Sequence, residues 1–392
     1  MPAYTSIASG SWTNEAIWTP NGLPGSGSGD TVTIDENDVV TAPATATTID
    51  GITITAAGGR LNLGVGGMTV NGNVTINNAT ILGGGADRDM QINGDLSVGA
   101  SAFTVGDITV AGDVSTSAAP TVINLDLIVD ATGGARTIEW NRSGAGQSPT
   151  SLRITGTGGD ITKTATTYSR KLTVDAGAIY AGNPDGRIWY PVANNFCDIQ
   201  GSMTGNGVFR IYWAGGDTFT NSGRVVPSST ATRVDYRSAG GTWVQTGEMN
   251  VNTNLKIYHT GSGVANFTNN GFTTIKNLDL GSGANASGKF TNNGTLVLES
   301  AQRLVGATSA ANAFELASGF IELTGTITGT NVAFTADADA CHIVNPTGGA
   351  GRFTDVEPDT QVHSHECTVD GDCTNISDNT ERYPYQSVLG VA

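Results

Sequence analysis

Apolar and polar residues alternate along most of this chain in runs too short for helices. Thr69-Val70-Asn71-Gly72-Asn73-Val74-Thr75-Ile76 is two alternating runs hinged at a glycine, and Gln91-Ile92-Asn93-Gly94-Asp95-Leu96-Ser97-Val98 repeats it. Thr109-Val110-Ala111-Gly112-Asp113-Val114 is a looser copy, in which the glycine follows at a shorter interval than the one from Gly72 to Gly94. Alternation with period two, broken by Gly, Asn and Asp, predicts short strands with one buried face. A second repeat lies further on, in Phe219-Thr220-Asn221-Ser222-Gly223, Phe267-Thr268-Asn269-Asn270-Gly271 and Phe290-Thr291-Asn292-Asn293-Gly294. The step from Phe219 to Phe267 is close to twice the step from Phe267 to Phe290, so the shorter step is the underlying period. That period, about 23 to 24, is the length of one structural unit.

A unit of two or three short strands with one apolar face cannot stand alone, but stacked copies bury that face and pair each other's edges. The expected fold is therefore all-β, a right-handed parallel β-helix of three-sided coils over residues 31–345. Residues 1–30 are expected to cap it, and 346–392, where the repeat fades into Pro, Asp, Glu, His and Cys, to form a small tip module. Coils stack about 4.8 Å apart, so about a dozen make a rod on the order of 60 Å long. Asn and Thr at the turns are expected to form ladders between coils, and the repeat glycines to serve corners that need positive φ.

Composition agrees with many tight turns. The 392 residues include 54 glycines, and only 14% are charged, against about 25% in ordinary domains. Acidic residues outnumber basic ones 35 to 19, and the five lysines, Lys163, Lys171, Lys256, Lys276 and Lys289, are scattered. With no basic run along the chain, nucleic acid is not an expected partner. No apolar run approaches the ~20 residues of a membrane-spanning helix, so membrane insertion is not expected either. The opening Met1-Pro2-Ala3-Tyr4-Thr5 has neither the basic nor the apolar stretch of a secretory signal. The expectation is assembly in a cytosol, or a signal already removed. Four cysteines are too few for a disulfide scaffold.

From about Trp140 to Trp243 the chain gathers large aromatics and most of its arginines. These aromatics either pack in the core or form a ligand-facing shelf, for which Trp189 and Trp213 are the candidates. Glycoside cleavage needs two opposed carboxylates, and Glu139, Asp185, Asp198, Asp217 and Asp235 are the set lying near aromatics. Most of the His and Cys residues fall near the C-terminal end, namely Cys341, His342, His363, His365, Cys367 and Cys373. In an extended strand His363, His365 and Cys367 share a face, and imidazole and thiolate suit zinc or iron. Three readings stay open there: a metal held by His363, His365, Cys367 and Cys373, a disulfide between Cys367 and Cys373, or neither. Asp370-Gly371-Asp372 followed by Asn375 and Asp378 reads as an acidic turn, since it lacks the closing glutamate of a calcium loop.

Gly10-Ser11-Trp12, Trp18, Leu23-Pro24-Gly25 and Gly29-Asp30-Thr31-Val32-Thr33-Ile34 resemble the opening of β-helical surface proteins with a G8-like start. The glycine-punctuated repeats are similar to those of that group and of β-helical phage structural proteins, and His363-Ser364-His365 resembles the metal-binding tips of trimeric phage spikes. The resemblance implies a virion spike, fibre or decoration subunit. It would be a non-catalytic homotrimer located in the virion, docked to capsid or tail proteins and able to meet a host-surface glycan. A polysaccharide-cleaving β-helix enzyme and a bacterial surface adhesin are the alternatives.

Overall fold

The computed structural model describes residues 2–305 apart from the segments 55–56, 84–88, 141–145, 164–166, 183–185, 191–196, 206–207, 214–217, 228–232, 239, 260–264 and 280–287. Beyond 305 it describes the backbones of the strands up to Cys367–Asp370. The chain is an all-β parallel solenoid whose contacts divide into two units, Met1–Pro184 and Asp185–Ala392.

In the first unit one face stacks eight strands: Thr31–Thr33, Gly51–Ile54, Val74–Ile76, Leu96–Val98, Val114–Thr116, Arg136–Glu139, Asp160–Lys163 and Ile179–Gly182, each parallel to the next. Two further faces complete the early coils. One runs through Arg60–Asn62 and Thr80–Leu82, the other through Met68–Val70 and Met90–Ile92. Coil length is not constant along this face: the coil from Leu96 to its partner Val114 is the shortest, and that from Ile138 to Lys163 the longest. At about 4.8 Å per step, the seven steps of the first face span roughly 34 Å. The alternation read from the sequence becomes an interior column: Val32, Ile52, Val74, Leu96, Val114 and Ile138 are register partners, none more than 1% exposed.

The first coil begins before residue 31. Ala3–Ser6 pairs parallel with Thr31–Thr33 and antiparallel with Trp18–Thr19, and Gly10–Ser11 pairs with Val39–Thr41. Trp12 and Trp18 meet edge to face, with ring centroids 5.2 Å apart, and both are buried. Each indole finds an acceptor, Trp12 Nε1 at the Pro24 carbonyl (3.0 Å) and Trp18 Nε1 at the Trp12 carbonyl (2.9 Å). Buried Asp30 accepts from the amides of Gly25 and Gly27, which ties the Leu23-Pro24-Gly25 turn to the first strand.

The second unit has the same three-sided plan. Its repeat forms one face, with Cys197, Phe219, Trp243, Phe267, Phe290, Phe314, Phe334 and Val362 as successive register partners. A disguised copy between Phe219 and Phe267 is Trp243-Val244-Gln245-Thr246-Gly247, with Trp243 in the phenylalanine slot. Centroid distances along the stack are 4.1 Å for Phe219 to Trp243, 5.0 Å for Trp243 to Phe267 and 5.0 Å for Phe267 to Phe290. All four rings are fully buried.

Beside this stack runs a buried amide column of Asn221, Gln245 and Asn269. Asn221 Nδ2 donates to Gln245 Oε1 at 2.8 Å. Asn269 donates to the Thr295 carbonyl (3.0 Å) and accepts from Thr273 Oγ1 (2.9 Å) and the Gly271 amide (3.3 Å). Replacing Asn269 by alanine removes a partner from the buried Thr273 hydroxyl and from two part-buried backbone groups, the Thr295 carbonyl and the Gly271 amide, each costly to leave unpaired. A stability loss of about 2–3 kcal/mol is expected by urea titration. Asn270→Ala, at an exposed turn position, should stay within about 0.5 kcal/mol. Equal losses in the two variants would show that the amide column contributes nothing special.

The repeat glycines have a different reason from the expected one. None of Gly72, Gly94, Gly112, Gly223, Gly247, Gly271 or Gly294 has positive φ. In the second unit a Cβ at each of Gly247, Gly271 and Gly294 would collide with the carbonyl oxygen of the preceding repeat glycine, Gly223, Gly247 and Gly271 respectively. Those carbonyls accept from the amide that follows the next glycine: Glu248 N to Gly223 O at 2.8 Å, Phe272 N to Gly247 O at 3.0 Å and Thr295 N to Gly271 O at 2.8 Å. The corner thus brings backbone against backbone, which only glycine permits. In the first unit the residue after the glycine supplies the lock. Asn73 Oδ1 accepts from Asp95 N (2.9 Å), Asp95 Oδ1 from Asp113 N (2.9 Å) and Asp113 Oδ1 from Thr137 N (2.7 Å).

Candidate functional site

Among the described residues the inner faces of the strands carry buried, mostly apolar side chains, which leaves the outer faces to present chemistry to solvent. The strands Gly186–Tyr190, Val208–Trp213, Arg233–Ser238 and Glu248–His259 stack in parallel register in the second unit. Val234, Tyr236, Leu255 and Ile257 are fully buried, which identifies the inner face. Intervening residues therefore occupy the outer face. One outer column is Arg187, Arg210, Asp235 and Lys256, continued by Asp279. Its neighbour is Trp189, Tyr212, Arg237 and Tyr258. Residues that looked scattered along the chain thus share one face. Each follows its predecessor by one coil, so a single turn of the solenoid converts distance along the chain into one strand spacing.

The two tryptophans proposed as a shelf lie on adjacent strands. Trp189 lies in the outer column, whereas Trp213 is the register partner of Tyr190, at a position with inner-face parity. Trp140, Tyr236 and Trp243 are fully buried, and Trp140 Nε1 donates to the Gln147 carbonyl at 2.8 Å.

Of the suggested catalytic carboxylates, Glu139, Asp198 and Asp235 lie within the described residues. Asp185 and Asp217 lie outside the described residues. Glu139 ends Arg136–Glu139 in the first unit, and Asp198 belongs to the second, where it accepts from Gln200 Nε2 (2.7 Å) and Thr220 Oγ1 (2.8 Å). A pair that the sequence reading missed stands out instead. Asp107 and Asp126 are register partners in the first unit, and both titrate above the ordinary aspartate value of 3.8. Partial burial is the main cause for each, followed by the charge of Asp89 at Asp107 and of Asp107 at Asp126. Arg153, engaged with Asp175 at 2.9 Å, and Lys171 act in the opposite sense.

A raised carboxyl pKa means that the folded chain holds its proton more tightly than the unfolded chain. Stability therefore falls as pH rises from the ordinary aspartate value through the folded one. Asp126→Asn is expected to raise stability by about 0.5 kcal/mol at neutral pH, as relief of a like-charge cross-strand pair does. The gain should vanish near pH 3, roughly a unit below the ordinary value. Thermal unfolding at the two pH values checks this, and an equal gain at both would rule out a charge effect.

At the C-terminal end the backbone places His363 on Val362–Ser364, opposite Thr335, and Cys367 on Cys367–Asp370, opposite Cys341. His365 and Cys373 lie outside the described residues, as does the acidic run after Asp370. Register thus gives Cys367 a neighbour, Cys341, that spacing along the chain did not suggest. Among the described residues no group of three or more His, Cys, Asp or Glu is placed to hold a metal ion. Cys197 is buried, and burial pushes its thiol well up, followed by the Asp198 charge, so it is a core residue and no nucleophile. A groove of about 550 Å³ in the first unit, lined by Ala42, Arg60, Leu63, Val65 and Leu82 among others, has no carboxylate in its walls. Among the described residues no helix is long and apolar enough to cross a membrane.

No family model matches this chain, and no curated protein or solved structure is significantly similar to it.

Proposed function

We propose that this protein is a structural subunit of a virion, a spike, fibre or decoration protein whose solenoid acts as a rigid, non-catalytic spacer. The observation that carries this reading is the parallel stacking of coil on coil within each unit, with the same corner glycine, interior ring and turn amide recurring from Phe219 to Gly294 in the second. Within a unit, a coil flanked by two others is braced by both through backbone pairing, so bending one coil strains the next. In this reading the chain assembles as a homotrimer and docks on capsid or tail proteins, leaving outer faces free to meet a host surface.

Mass spectrometry and electron microscopy of purified particles from the source test it. The expected result is this chain as a stoichiometric component of the particle. Its absence from particles would overturn the virion reading and favour a secreted adhesin built on the same solenoid.

A further inference from the structure

We propose that the outer face of the second unit binds a carboxylated polysaccharide, laid across the strands along the column Trp189, Tyr212, Arg237 and Tyr258. The face is chemically unlike the rest of the chain. Acidic residues outnumber basic ones 35 to 19 overall, yet the two adjoining columns carry Arg187, Arg210, Arg237 and Lys256 against Asp235 and Asp279. The remaining three positions are all aromatic. Arg187 and Arg210 are like-charged register partners, an arrangement that opposes folding.

The geometry suits an extended glycan. Register repeats each position about every 4.8 Å, close to the length of one sugar in an extended chain. A polymer crossing the strands therefore meets one aromatic or cationic position per sugar. Tyr and Trp offer rigid amphipathic surfaces, an apolar ring with a polar handle, suited to a sugar's C–H face and its hydroxyls. Arginine pairs with carboxylate through two parallel hydrogen bonds.

The charge pattern also separates a glycan from a nucleic acid. Duplex DNA carries a charge about every 1.7 Å, which a strongly acidic protein with Asp235 between its cations and Asp279 at the end of the column would repel. A carboxylated sugar chain carries fewer charges and many hydroxyls, to which those same aspartates can accept hydrogen bonds. The inference does not depend on the virion reading, since an adhesin or a spike would use the face alike.

The test uses the purified full-length chain in affinity electrophoresis and calorimetry with polygalacturonate, alginate and hyaluronate, with neutral dextran and single-stranded DNA alongside. At least one carboxylated polymer is expected to bind, more weakly as salt rises, while dextran does not. Trp189→Ala and Arg210→Ala should each weaken binding about tenfold, as loss of a hot-spot residue does. Tyr258→Ala and Lys256→Gln repeat the measurement should either variant fold poorly, with circular dichroism confirming the fold. Arg153→Ala in the first unit should leave binding unchanged. The proposal is overturned if none of the three carboxylated polymers binds, if folded variants of the face bind like the parent, or if DNA competes equally at the same residues. Particle composition tests the virion reading separately, so either proposal can fail without the other.

Discussion

Trp243→Ala is expected to remove about 3–5 kcal/mol of stability, the range for truncating a large buried aromatic. Trp243 is fully buried and sits in a continuous stack, 4.1 Å from Phe219 and 5.0 Å from Phe267 by ring centroid, with Tyr236 edge-on at 5.6 Å. Removing it opens a cavity bordered by rings that belong to three different coils. The backbone pairing of those coils prevents them from collapsing inward, so the cavity persists. In a solenoid each coil is stabilised mainly by its neighbours, and a gap in one weakens both interfaces. Trp243→Phe, which restores the residue found in the neighbouring copies, should cost under about 1.5 kcal/mol. Urea unfolding of the two variants and the parent checks this. A loss below about 1 kcal/mol for the alanine variant, far under the range for a truncated buried aromatic, would mean that the stack is not a packed core.

The second large effect is expected at a residue with no side chain. Gly247→Ala places a methyl group against the Gly223 carbonyl, with the Ser222 carbonyl carbon and oxygen also only 2.6 Å away. These atoms cannot move aside, because the Gly223 carbonyl receives the Glu248 amide at 2.8 Å and Gly247 N itself donates to Asn221 O at 3.0 Å. Relief requires separating two coils at a corner. The cost should be about 3 kcal/mol, the upper end of overpacking penalties, or enough to prevent recovery of folded protein. Gly146→Ala is the comparison, since its added Cβ meets only the Val122 carbonyl oxygen, at 4.0 Å. That substitution should be neutral within about 0.5 kcal/mol. If Gly247→Ala were equally neutral, the corner would be looser than its hydrogen bonds imply.

These two residues also mark how far the sequence could be read. The phenylalanine repeat announced the length of one coil, and the double step between Phe219 and Phe267 hid one more copy. Trp243, Gln245 and Gly247 escaped notice because they keep the volume, the amide and the glycine of the repeat without its letters. The glycines were legible as corners, but their cause was misread. Positive φ is a property of one residue, whereas the clash at Gly247 belongs to two coils and exists only once they stack.

The surface chemistry was less legible than the core. An alternating run gives the parity of each residue, so Arg210 and Tyr212 could be assigned to one face of their own strand. Which residues stand beside them on the next strand depends on the length of each turn, and coil length varies along the chain. A one-residue slip in any coil would have moved Arg237 or Tyr258 to the interior. The same holds for Asp107 and Asp126, whose raised titration arises from partial burial and from neighbouring carboxylates that only the register brings close.

The sequence by itself determined the all-β class, the coil period, the interior positions and the corner glycines, because these follow from local alternation and from repetition of one unit. Tertiary structure alone decided which outer residues became neighbours. Stacking register is a cooperative result of burying every apolar column at once, and no single strand contains the information that places Arg187, Arg210 and Trp189 on a common surface.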